Sequence, residues 1–395
     1  MSNSYDTVIV GAGIFGVTAA LALAERKHHV ALLDPGPLPH PLAASTDISK
    51  VVRMEYGTDE TYMAMVEAAL PGWRSWNDLF GETLYHEVGV TMLTRTPMVP
   101  GGYEYESYQL MLQRGHTPER LSADAIAARF PAWRSGAYVD GYYHAKGGYA
   151  ESGRVVAALI DEARRRGVAL YAGQEVSELE TDNGRVRGVR TTGGGSFNAE
   201  NVLVAAGAWT PLLVPELQPF MHATGHPVFH LQPPDPELFM PPRFVVFTAD
   251  IARSGWYGFP LHPRERVVKI ANHGVGQRLH PQQDPRLVNE DDERALRDFL
   301  VGTFPSLAEA PISYTRLCLY CDTLDEHLWI DRHPVAQGLT VATGGSGHGF
   351  KIAPVLGDLI ADAVEGAANA WLPKFAWRAL SGETSGAEAA RYHGS

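Results

Sequence analysis

Two cysteines three positions apart, Cys318 and Cys321, are the only cysteines in this chain of 395 residues. If the stretch is extended, Cys318 and Tyr320 share one face of a strand and Cys321 lies on the other. A zinc site would need a second pair of ligands, and none follows at a suitable spacing. A redox pair of thiols would open a helix after a strand, which this pair does not obviously do. Two buried thiols are the simplest alternative.

A glycine-rich loop that ends at Lys351, T-G-G-S-G-H-G-F-K, precedes a predicted helix. Its glycines surround one histidine, in the order Gly344, Gly345, Gly347, His348 and Gly349. Backbone N–H groups in such a loop stabilise negative charge on a bound group, and the Lys351 ammonium adds a point charge. A loop that merely needs positive φ angles has a similar composition, so both interpretations stay open.

Further cations lie among apolar residues. Lys269 follows two valines and precedes an isoleucine, and on a strand it shares a face with His273. A lysine in that setting can face a cofactor and hold water or an oxygen species. Lys50 and Arg53 are three residues apart, so on a helical turn they share a face and together need an anionic partner. Two solvated surface charges are the alternative for this pair.

The stretch 7–16, T-V-I-V-G-A-G-I-F-G, connects a predicted strand to a predicted helix, the context in which G-x-G-x-x-G binds a dinucleotide. Gly11 allows the tight turn, Gly13 lets the backbone approach a pyrophosphate, and Gly16 lets helix and strand pack closely. The helix N-terminus offers free N–H groups to the phosphates. Asp34 ends the next apolar run, where an acid bonds a ribose hydroxyl, which favours FAD or NAD over NADP.

Over the first 210 residues, short apolar runs typical of strands alternate with segments that have helical periodicity. This alternation predicts an α/β arrangement that positions the residues described above. Helices are predicted at 17–24, 61–80, 151–167 and within an insertion at 101–130, where Ser122 is an N-cap. Strands are predicted at 8–10, 29–33, 88–93, 137–143, 168–171, 176–181, 185–191 and 202–205. The last strand leads into A-A-G-A-W-T, a second place where the backbone can approach a cofactor.

From 224 to 315 this alternation stops. A helix at 291–304 and strands at 225–231, 244–247, 255–259 and 266–273 indicate a mostly antiparallel sheet that covers a substrate. A strand at 339–342 and a helix at 355–365 return to nucleotide-binding architecture, and the polar tail 381–395 is predicted to fray. The cofactor domain is therefore expected to comprise 1–86, 145–222 and 322–395. The substrate domain is expected to comprise 87–144 and 223–321.

The formal net charge is −12 at pH 7, from 33 Lys and Arg against 45 Asp and Glu. This balance argues against nucleic acid as the main partner. Two cysteines provide no disulfide framework, the N-terminus carries no targeting signal, and no apolar run reaches the length of a membrane span. We therefore expect a cytoplasmic protein that does not associate with a membrane.

Several motifs occur together in one order: the glycine fingerprint, S-T-D-I-S-K-V-V-R, A-A-G-A-W, V-V-K-I-A-N-H, C-L-Y-C-D-T-L-D-E-H and G-S-G-H-G-F-K. Over residues 5–366 the chain resembles the monomeric sarcosine oxidase and fructosyl amino acid oxidase family of flavoproteins. The resemblance implies a mixed α/β fold, with a discontinuous Rossmann-type FAD domain and a substrate domain on a mostly antiparallel sheet. It also implies oxidation of a secondary amine, with hydride transfer to flavin N5, an imine product and reduction of O₂ to H₂O₂.

The resemblance also implies site residues. Cys318 would anchor FAD through a thioether to its 8α carbon. The residues at substrate and oxygen would be Arg53 and Lys351 for the carboxylate, His273 and Tyr320 for the amine, Lys269 for oxygen, and Lys50. Residues against FAD would be Gly11, Gly13, Ile14, Phe15, Gly16, Asp34, Ser45, Lys50, Val176, Ala206, Gly207, Trp209, Cys318, Gly345, Gly347, His348, Gly349 and Lys351.

One position departs from the sarcosine oxidases, which carry arginine where this chain has Lys50. The fructosyl amino acid and saccharopine oxidase branch carries lysine in a similar D-x-x-K-x-x-R pattern, which shifts the expected substrate towards a bulkier N-substituted amino acid. Sarcosine-like, pipecolate-like and fructosyl amino acids all remain candidates, and we expect a monomer. The alternatives are an amine dehydrogenase with a non-oxygen acceptor, a tailoring oxidase in a biosynthetic pathway, and a non-catalytic FAD-binding subunit. An NAD-dependent dehydrogenase would not explain Cys318.

Overall fold

The computed structural model describes residues 4–380 and 389–394 and has the predicted mixed α/β fold with several sheets. The longer helices are Ile14–Glu25, Glu60–Phe80, Tyr103–Gln113, Ala123–Arg129, Ser152–Arg165, Glu290–Thr303 and Ala353–Glu365. Short helices lie at Thr210–Leu213, Ile251–Ser254 and Leu372–Phe375. Of the helices in these residues, none combines the length and the apolar character that crossing a bilayer requires.

A parallel sheet joins elements from the N-terminus, the middle and the C-terminal region. Its parallel strands lie side by side in the order Ala169–Ala172, Val30–Asp34, Ser4–Val10, Ser196–Val204 and Leu339–Thr343. Antiparallel strands extend it at Val176–Asp182, Arg185–Thr191 and Trp329–Arg332. Every residue of Val30–Asp34 and Leu339–Thr343 is buried, as expected of parallel strands that are covered on both faces.

The second sheet is mostly antiparallel, as predicted. Its strands within the described part of the chain are Val90–Thr94, Glu119–Arg120, Asp140–His144, Met221–Leu231, Val246–Ala249, Trp256–Gly258, Val268–Asn272, Gln277–Leu279 and Ile312–Thr323. Val90–Thr94 and Val246–Ala249 pair in parallel, whereas Met221–Leu231 and Ile312–Thr323 form a long antiparallel pair. The domain boundaries stay a prediction, which this sheet supports because its strands come from 90–144 and 221–323.

A small antiparallel sheet, which the sequence did not reveal, joins Lys50–Val52, Tyr85–His86 and Gly148–Ala150. The prediction that Lys50 and Arg53 share the face of a helical turn is therefore wrong, since Lys50 starts a strand and Arg53 follows it. Strands of two or three residues show too little alternation to be recognised in a sequence. This strand nevertheless brings both cations to one cavity, as shown below.

Helix Glu60–Phe80 supports the glycine-rich loop from outside. It begins where Asp59 Oδ1 accepts a hydrogen bond from the Tyr62 N–H at 3.1 Å, and it ends at Gly81 with φ +64°. Its Trp73 is fully buried and donates its indole N–H to the Lys351 carbonyl at 2.8 Å. The helix thus fixes the backbone of the loop that carries Lys351.

The predicted fraying of the C-terminal tail is wrong for 389–394, whereas 381–388 and 395 lie outside the described residues. Ala390 is fully buried in a hydrophobic cluster, and Arg391 is 7% exposed. Arg391 makes ion pairs with Asp322 and Glu326, so a segment that reads as small and polar is packed into the fold. The composition gave no sign of this packing because the partners lie far away in sequence.

Candidate active site

A cavity of about 240 Å³ lies where the glycine fingerprint, the turn after Ser196–Val204 and the glycine-rich loop meet. We call it the large cavity. The predicted cofactor residues that line it are Gly11, Gly13, Ile14, Phe15, Asp34, Ser45, Lys50, Val176, Ala206, Gly207, Trp209, Gly345, Gly347 and Gly349. Gly16 and Cys318 lie outside its lining, while His348 and Lys351 line a second cavity described below.

The fingerprint has the geometry that its glycines predict. Gly11 has φ +103°, and a Cβ at this position would lie 2.5 Å from the Ala205 carbonyl oxygen. A Cβ at Gly16 would lie 1.9 Å from the Gly11 oxygen, so only glycine allows the helix to pack this closely. Ser45 Oγ accepts a hydrogen bond from the Ile14 N–H at 3.1 Å. The other N–H groups of the first helical turn face the cavity, at the positive end of the helix dipole. This arrangement suits a pyrophosphate.

Asp34 lies at the carboxyl end of its strand, in the wall of the large cavity. Its carboxylate accepts the backbone N–H groups of Ala12 at 2.9 Å and Gly36 at 3.1 Å. Burial raises the pKa of Asp34, and these two hydrogen bonds oppose that rise. The acid therefore holds the fingerprint turn in place, from a position on the cavity wall where a ribose hydroxyl can reach it.

The glycines of the glycine-rich loop leave space next to the Tyr320 and Phe15 rings that side chains would fill. Gly347 has φ +78°, and a Cβ there would lie 2.2 Å from the Tyr320 ring. A Cβ at Gly349 would lie 3.1 Å from the Phe15 ring. Together with the fingerprint and Asp34, this bare strip of backbone fits a long cofactor that carries a flat ring and a pyrophosphate, as FAD does.

The two cysteines lie on opposite faces of strand Ile312–Thr323, as predicted from alternation: Cys318 packs with Tyr320, and Cys321 packs in a different cluster. Both thiols are free and buried. Burial raises the pKa of Cys321 to about 11. The Lys50 ammonium, by contrast, lies 3.2 Å from the Cys318 sulfur. The neighbouring ammonium therefore distinguishes the surroundings of Cys318 from those of Cys321.

A second cavity of about 50 Å³, the small cavity, adjoins the large one, and Lys50, Tyr320 and Gly347 line both. The other predicted residues in its wall are Arg53, His273, His348 and Lys351. The wall is completed by residues that the sequence did not single out: Val51, Thr248, Ile251, Tyr257 and Phe350. The structure thus brings together five of the six residues expected at substrate and oxygen, all except Lys269.

Two cations of the small cavity are held by neutral groups. The Arg53 guanidinium donates to the Glu55 carbonyl and to the Tyr103 hydroxyl, the latter at 2.6 Å. The Lys351 ammonium lies 4.5 Å from the centre of the Tyr56 ring, a cation–π contact. The Tyr56 hydroxyl in turn lies 3.1 Å from His348 Nδ1. These contacts orient the two side chains in the cavity wall.

His273 is uncharged at neutral pH. Burial lowers its pKa well below 6.5, and the nearby cation Arg391 lowers it further. Burial also raises the pKa of Tyr320 well above 10, so its hydroxyl keeps its proton. The aromatic part of the wall is therefore neutral, and the positive charge of the cavity comes from Lys50, Arg53 and Lys351.

Lys269 lies behind the cavities and lines neither of them. It is 1% exposed, and its ammonium lies 2.7 Å from Asp47 Oδ2 and 4.7 Å from the Phe259 ring centre. Lys50 approaches the same Asp47 oxygen at 3.8 Å. Burial lowers the pKa of Lys269 to about 8, while attraction by Asp47 opposes that fall. One carboxylate thus faces two ammonium groups.

Sequence reasoning missed Asp47 as a counter-ion and took it for a turn residue. Its place three residues before Lys50 was the available signal, because the D-x-x-K pattern sets an acid beside a lysine. Tyr56 and His226 were also missed. The His226 ring stacks on the Tyr320 ring, with the two ring centres 4.1 Å apart. No local sequence pattern indicates such a contact between strands.

Comparison with known proteins identifies the family of this chain. The model of the family described as FAD dependent oxidoreductase matches residues 6–363. N-methyl-L-tryptophan oxidase from Salmonella heidelberg is 29% identical, over 91% of this chain and 94% of that protein. Monomeric sarcosine oxidase from a Bacillus species is 26% identical, over 91% of this chain and 92% of that protein.

Among solved structures, fructosyl amine:oxygen oxidoreductase (Amadoriase I) from Aspergillus fumigatus superimposes with a TM-score of 0.81 at 25% identity, over 96% of this chain and 90% of that one. These relatives confirm the resemblance inferred from the sequence motifs. The chain therefore belongs to the family of FAD-dependent oxidoreductases.

Proposed function

We propose that this enzyme oxidises the secondary amine of an N-substituted amino acid. The observation that carries the proposal is the convergence of Arg53 and Lys351 on a small cavity that opens beside the cofactor cavity. The relatives described above are named for N-methyl-L-tryptophan, sarcosine and a fructosyl amine, and each of these compounds contains a substituted amine. A carboxylate on a substrate in the small cavity would lie within reach of both cations.

Arg53 and Lys351 bind the substrate carboxylate in this proposal. A hydrogen bond between charged groups contributes on the order of 1.5–3 kcal/mol. Arg53 is already held by the Glu55 carbonyl and by Tyr103, so little side-chain entropy is lost when the substrate arrives. The carboxylate then fixes the orientation of the amine and of the adjacent C–H bond.

The same two cations disfavour an ammonium in the small cavity and so favour the neutral amine. His273 and Tyr320 add no charge, and they line the cavity on the side where we place the amine. FAD, when bound, supplies the two-electron acceptor for this oxidation. The substrate loses two electrons and two protons to become an imine, which water hydrolyses.

We assign the covalent attachment of FAD to Cys318. The Lys50 ammonium at 3.2 Å from the sulfur supports this assignment, because it makes Cys318 a better nucleophile than Cys321. We assign oxygen as the final acceptor, with hydrogen peroxide as its product. We assign Lys269 to this step from behind the cavity wall, because a buried ammonium stabilises the negative charge that oxygen gains even though Asp47 offsets part of its charge. Two free cysteines support a cytoplasmic location, and a monomeric state stays a prediction.

The test is a peroxide-coupled screen of the purified holoenzyme in air with sarcosine, pipecolate, proline, N-methyl amino acids and fructosyl amino acids. We expect at least one to yield peroxide, with a lower rate in Lys351→Ala. A matched control is Lys374→Ala, which removes a lysine that pairs with Asp59 on the surface. An artificial electron acceptor replaces oxygen in a parallel anaerobic assay. Turnover only in that assay would favour the dehydrogenase, and no turnover in either would contradict the proposal.

A further inference from the structure

The C-terminal segment 389–394 lies next to two parts of the chain that carry residues of the small cavity. A Cβ at Gly57, which follows Tyr56, would lie 3.5 Å from the Ala389 Cβ. On the other side, the Tyr392 N–H donates to the carbonyl oxygen of His273 at 3.1 Å. The segment therefore connects the part of the chain that carries Arg53 and Tyr56 to the turn that carries His273.

Arg391 is the anchor of this segment. Its Nη2 donates to Asp322 Oδ2 at 2.7 Å and to His226 Nε2 at 2.9 Å, and its Nη1 donates to Glu326 Oε1 at 3.1 Å. Its Nε donates to the Gly274 carbonyl at 3.4 Å. The side chains of Asp322 and Glu326 are 4% and 2% exposed, so one buried guanidinium compensates two buried carboxylates.

The hydrogen bond from Arg391 fixes His226 against the cavity wall. Burial and the Arg391 charge lower the pKa of His226 to about 3, so its ring is neutral and Nε2 accepts. The His226 ring stacks on the Tyr320 ring at 4.1 Å with an interplanar angle of 23°. Gly347 closes the other side of Tyr320, since even a Cβ there would lie 2.2 Å from the ring. Tyr320 is thus clamped between His226 and the glycine-rich loop.

We propose that Arg391 is a positioning residue for substrate binding, which sets the wall of the small cavity through the stack of His226 on Tyr320. The proposal rests on the proposed function, in which this cavity binds the substrate. Arg391 does not line either cavity, so it acts only through the residues that it holds.

Loss of the guanidinium removes the ion pairs that Arg391 makes with Asp322 and Glu326, and it removes the donor to His226. The two carboxylates then have to take up protons, admit water or move apart, and each response displaces His226 and Tyr320. A displacement of about 1 Å in a positioning group costs up to about a hundredfold in kcat/KM. Because Tyr320 is placed as a binding residue, we expect a larger rise in KM than fall in kcat.

The experiment compares holoenzymes carrying Arg391→Ala, Arg391→Lys and Arg378→Ala. Arg378 is the matched control, because it holds Asp325 through two hydrogen bonds of 2.6 and 2.8 Å, close in sequence to Asp322, without touching His226. We expect kcat/KM to fall about 10- to 100-fold in Arg391→Ala, mainly through KM, and to stay within about threefold of the parent in Arg378→Ala. Guanidinium at millimolar, non-denaturing concentrations should lower KM in Arg391→Ala, and methylammonium should not.

Arg391→Lys retains one charge, but its single nitrogen has three donors where the guanidinium makes four hydrogen bonds from three nitrogens, so it should show a raised KM even where the alanine variant does not fold. Unchanged KM in both Arg391 variants, or an equal rise in Arg378→Ala, would overturn the proposal. If the parent enzyme oxidises no amine, the proposed function is wrong, but the proposal for Arg391 can still be tested. Acetate binding, measured by titration of the flavin absorbance, then takes the place of KM. Weaker acetate binding in Arg391→Lys would then support the proposal. Equal binding, or no binding by the parent enzyme, would overturn it.

Discussion

The charge of Lys269 can be removed in two independent ways, by pH and by substitution. Burial lowers the pKa of this ammonium to about 8, and Asp47 opposes that fall from 2.7 Å. We expect oxidation of the reduced enzyme by oxygen to slow as pH rises through 8, because deprotonation removes the cation that stabilises the charge gained by oxygen. Lys269→Met should be slow at every pH.

The magnitude follows from the protonated fraction. A group with a pKa of about 8 is about nine-tenths protonated at pH 7 and about one-tenth at pH 9, so the rate should fall about tenfold between them. Full removal of one stabilising group costs about a hundredfold or more, which sets the expected rate of Lys269→Met. Asp47 and Lys50 do not titrate in this range. Although burial opposes both shifts, Lys269 holds the pKa of Asp47 well below 3.8, and attraction by Asp47 helps to raise the pKa of Lys50 above 10.5.

The assay is stopped-flow absorbance of the two half-reactions, with substrate reduction followed without air and oxygen added afterwards. Lys374→Met is the matched control, because its ammonium lies 2.6 Å from Asp59 in an ion pair of similar length. Equal oxidation rates at pH 7 and pH 9, or oxidation of Lys269→Met at the rate of Lys374→Met, would refute the reasoning. If Lys269→Met instead loses substrate reduction and keeps oxidation, Lys269 is a substrate residue.

Three further expectations concern the attachment of the cofactor, the binding of the substrate carboxylate and the packing of the glycine fingerprint. Cys318→Ala should release FAD on denaturation and lose its mass from the intact chain, whereas Cys321→Ala should keep it; the reverse result would exchange the two assignments. Arg53→Ala and Lys351→Ala should retain FAD, while kcat/KM for a carboxylate substrate falls by a factor that corresponds to about 1.5–3 kcal/mol. Unchanged kinetics would contradict the assignment of these two residues to the carboxylate. Gly16→Ala should lose about 1–3 kcal/mol of unfolding free energy in calorimetry, since its Cβ would lie 1.9 Å from a backbone oxygen; an unchanged melting temperature would contradict this.

The features that were predictable from the sequence are those that local geometry dictates. Gly11 and Gly16 allow a turn and a close approach that no other residue permits, so their spacing between a predicted strand and a predicted helix indicated the nucleotide-binding turn. Alternation along a strand likewise separated Cys318 from Cys321. Both inferences depend on neighbours within a few residues, where backbone sterics leave few choices.

The features that were not predictable depend on pairs that are distant in sequence. Lys269 was expected to face the cofactor, but it lies 222 residues from Asp47, and no local pattern shows that the two form an ion pair. Arg391 lies in a stretch whose composition indicates a frayed tail, although it contacts His226 across 165 residues. Buried ion pairs carry no periodicity, so only the three-dimensional arrangement reveals them.

The protonation of Glu55 decides how much positive charge the small cavity presents to a substrate. Glu55 is fully buried next to Arg53, and neither of its carboxyl oxygens has a hydrogen-bond partner among the residues that the structure describes. Burial raises its pKa, although the Arg53 charge opposes that rise. An ionised Glu55 would partly cancel the charge of Arg53, whereas a protonated one leaves that charge to attract an anion. The raised pKa shifts Glu55 towards the neutral acid, and this shift leaves more of the Arg53 charge to a substrate carboxylate.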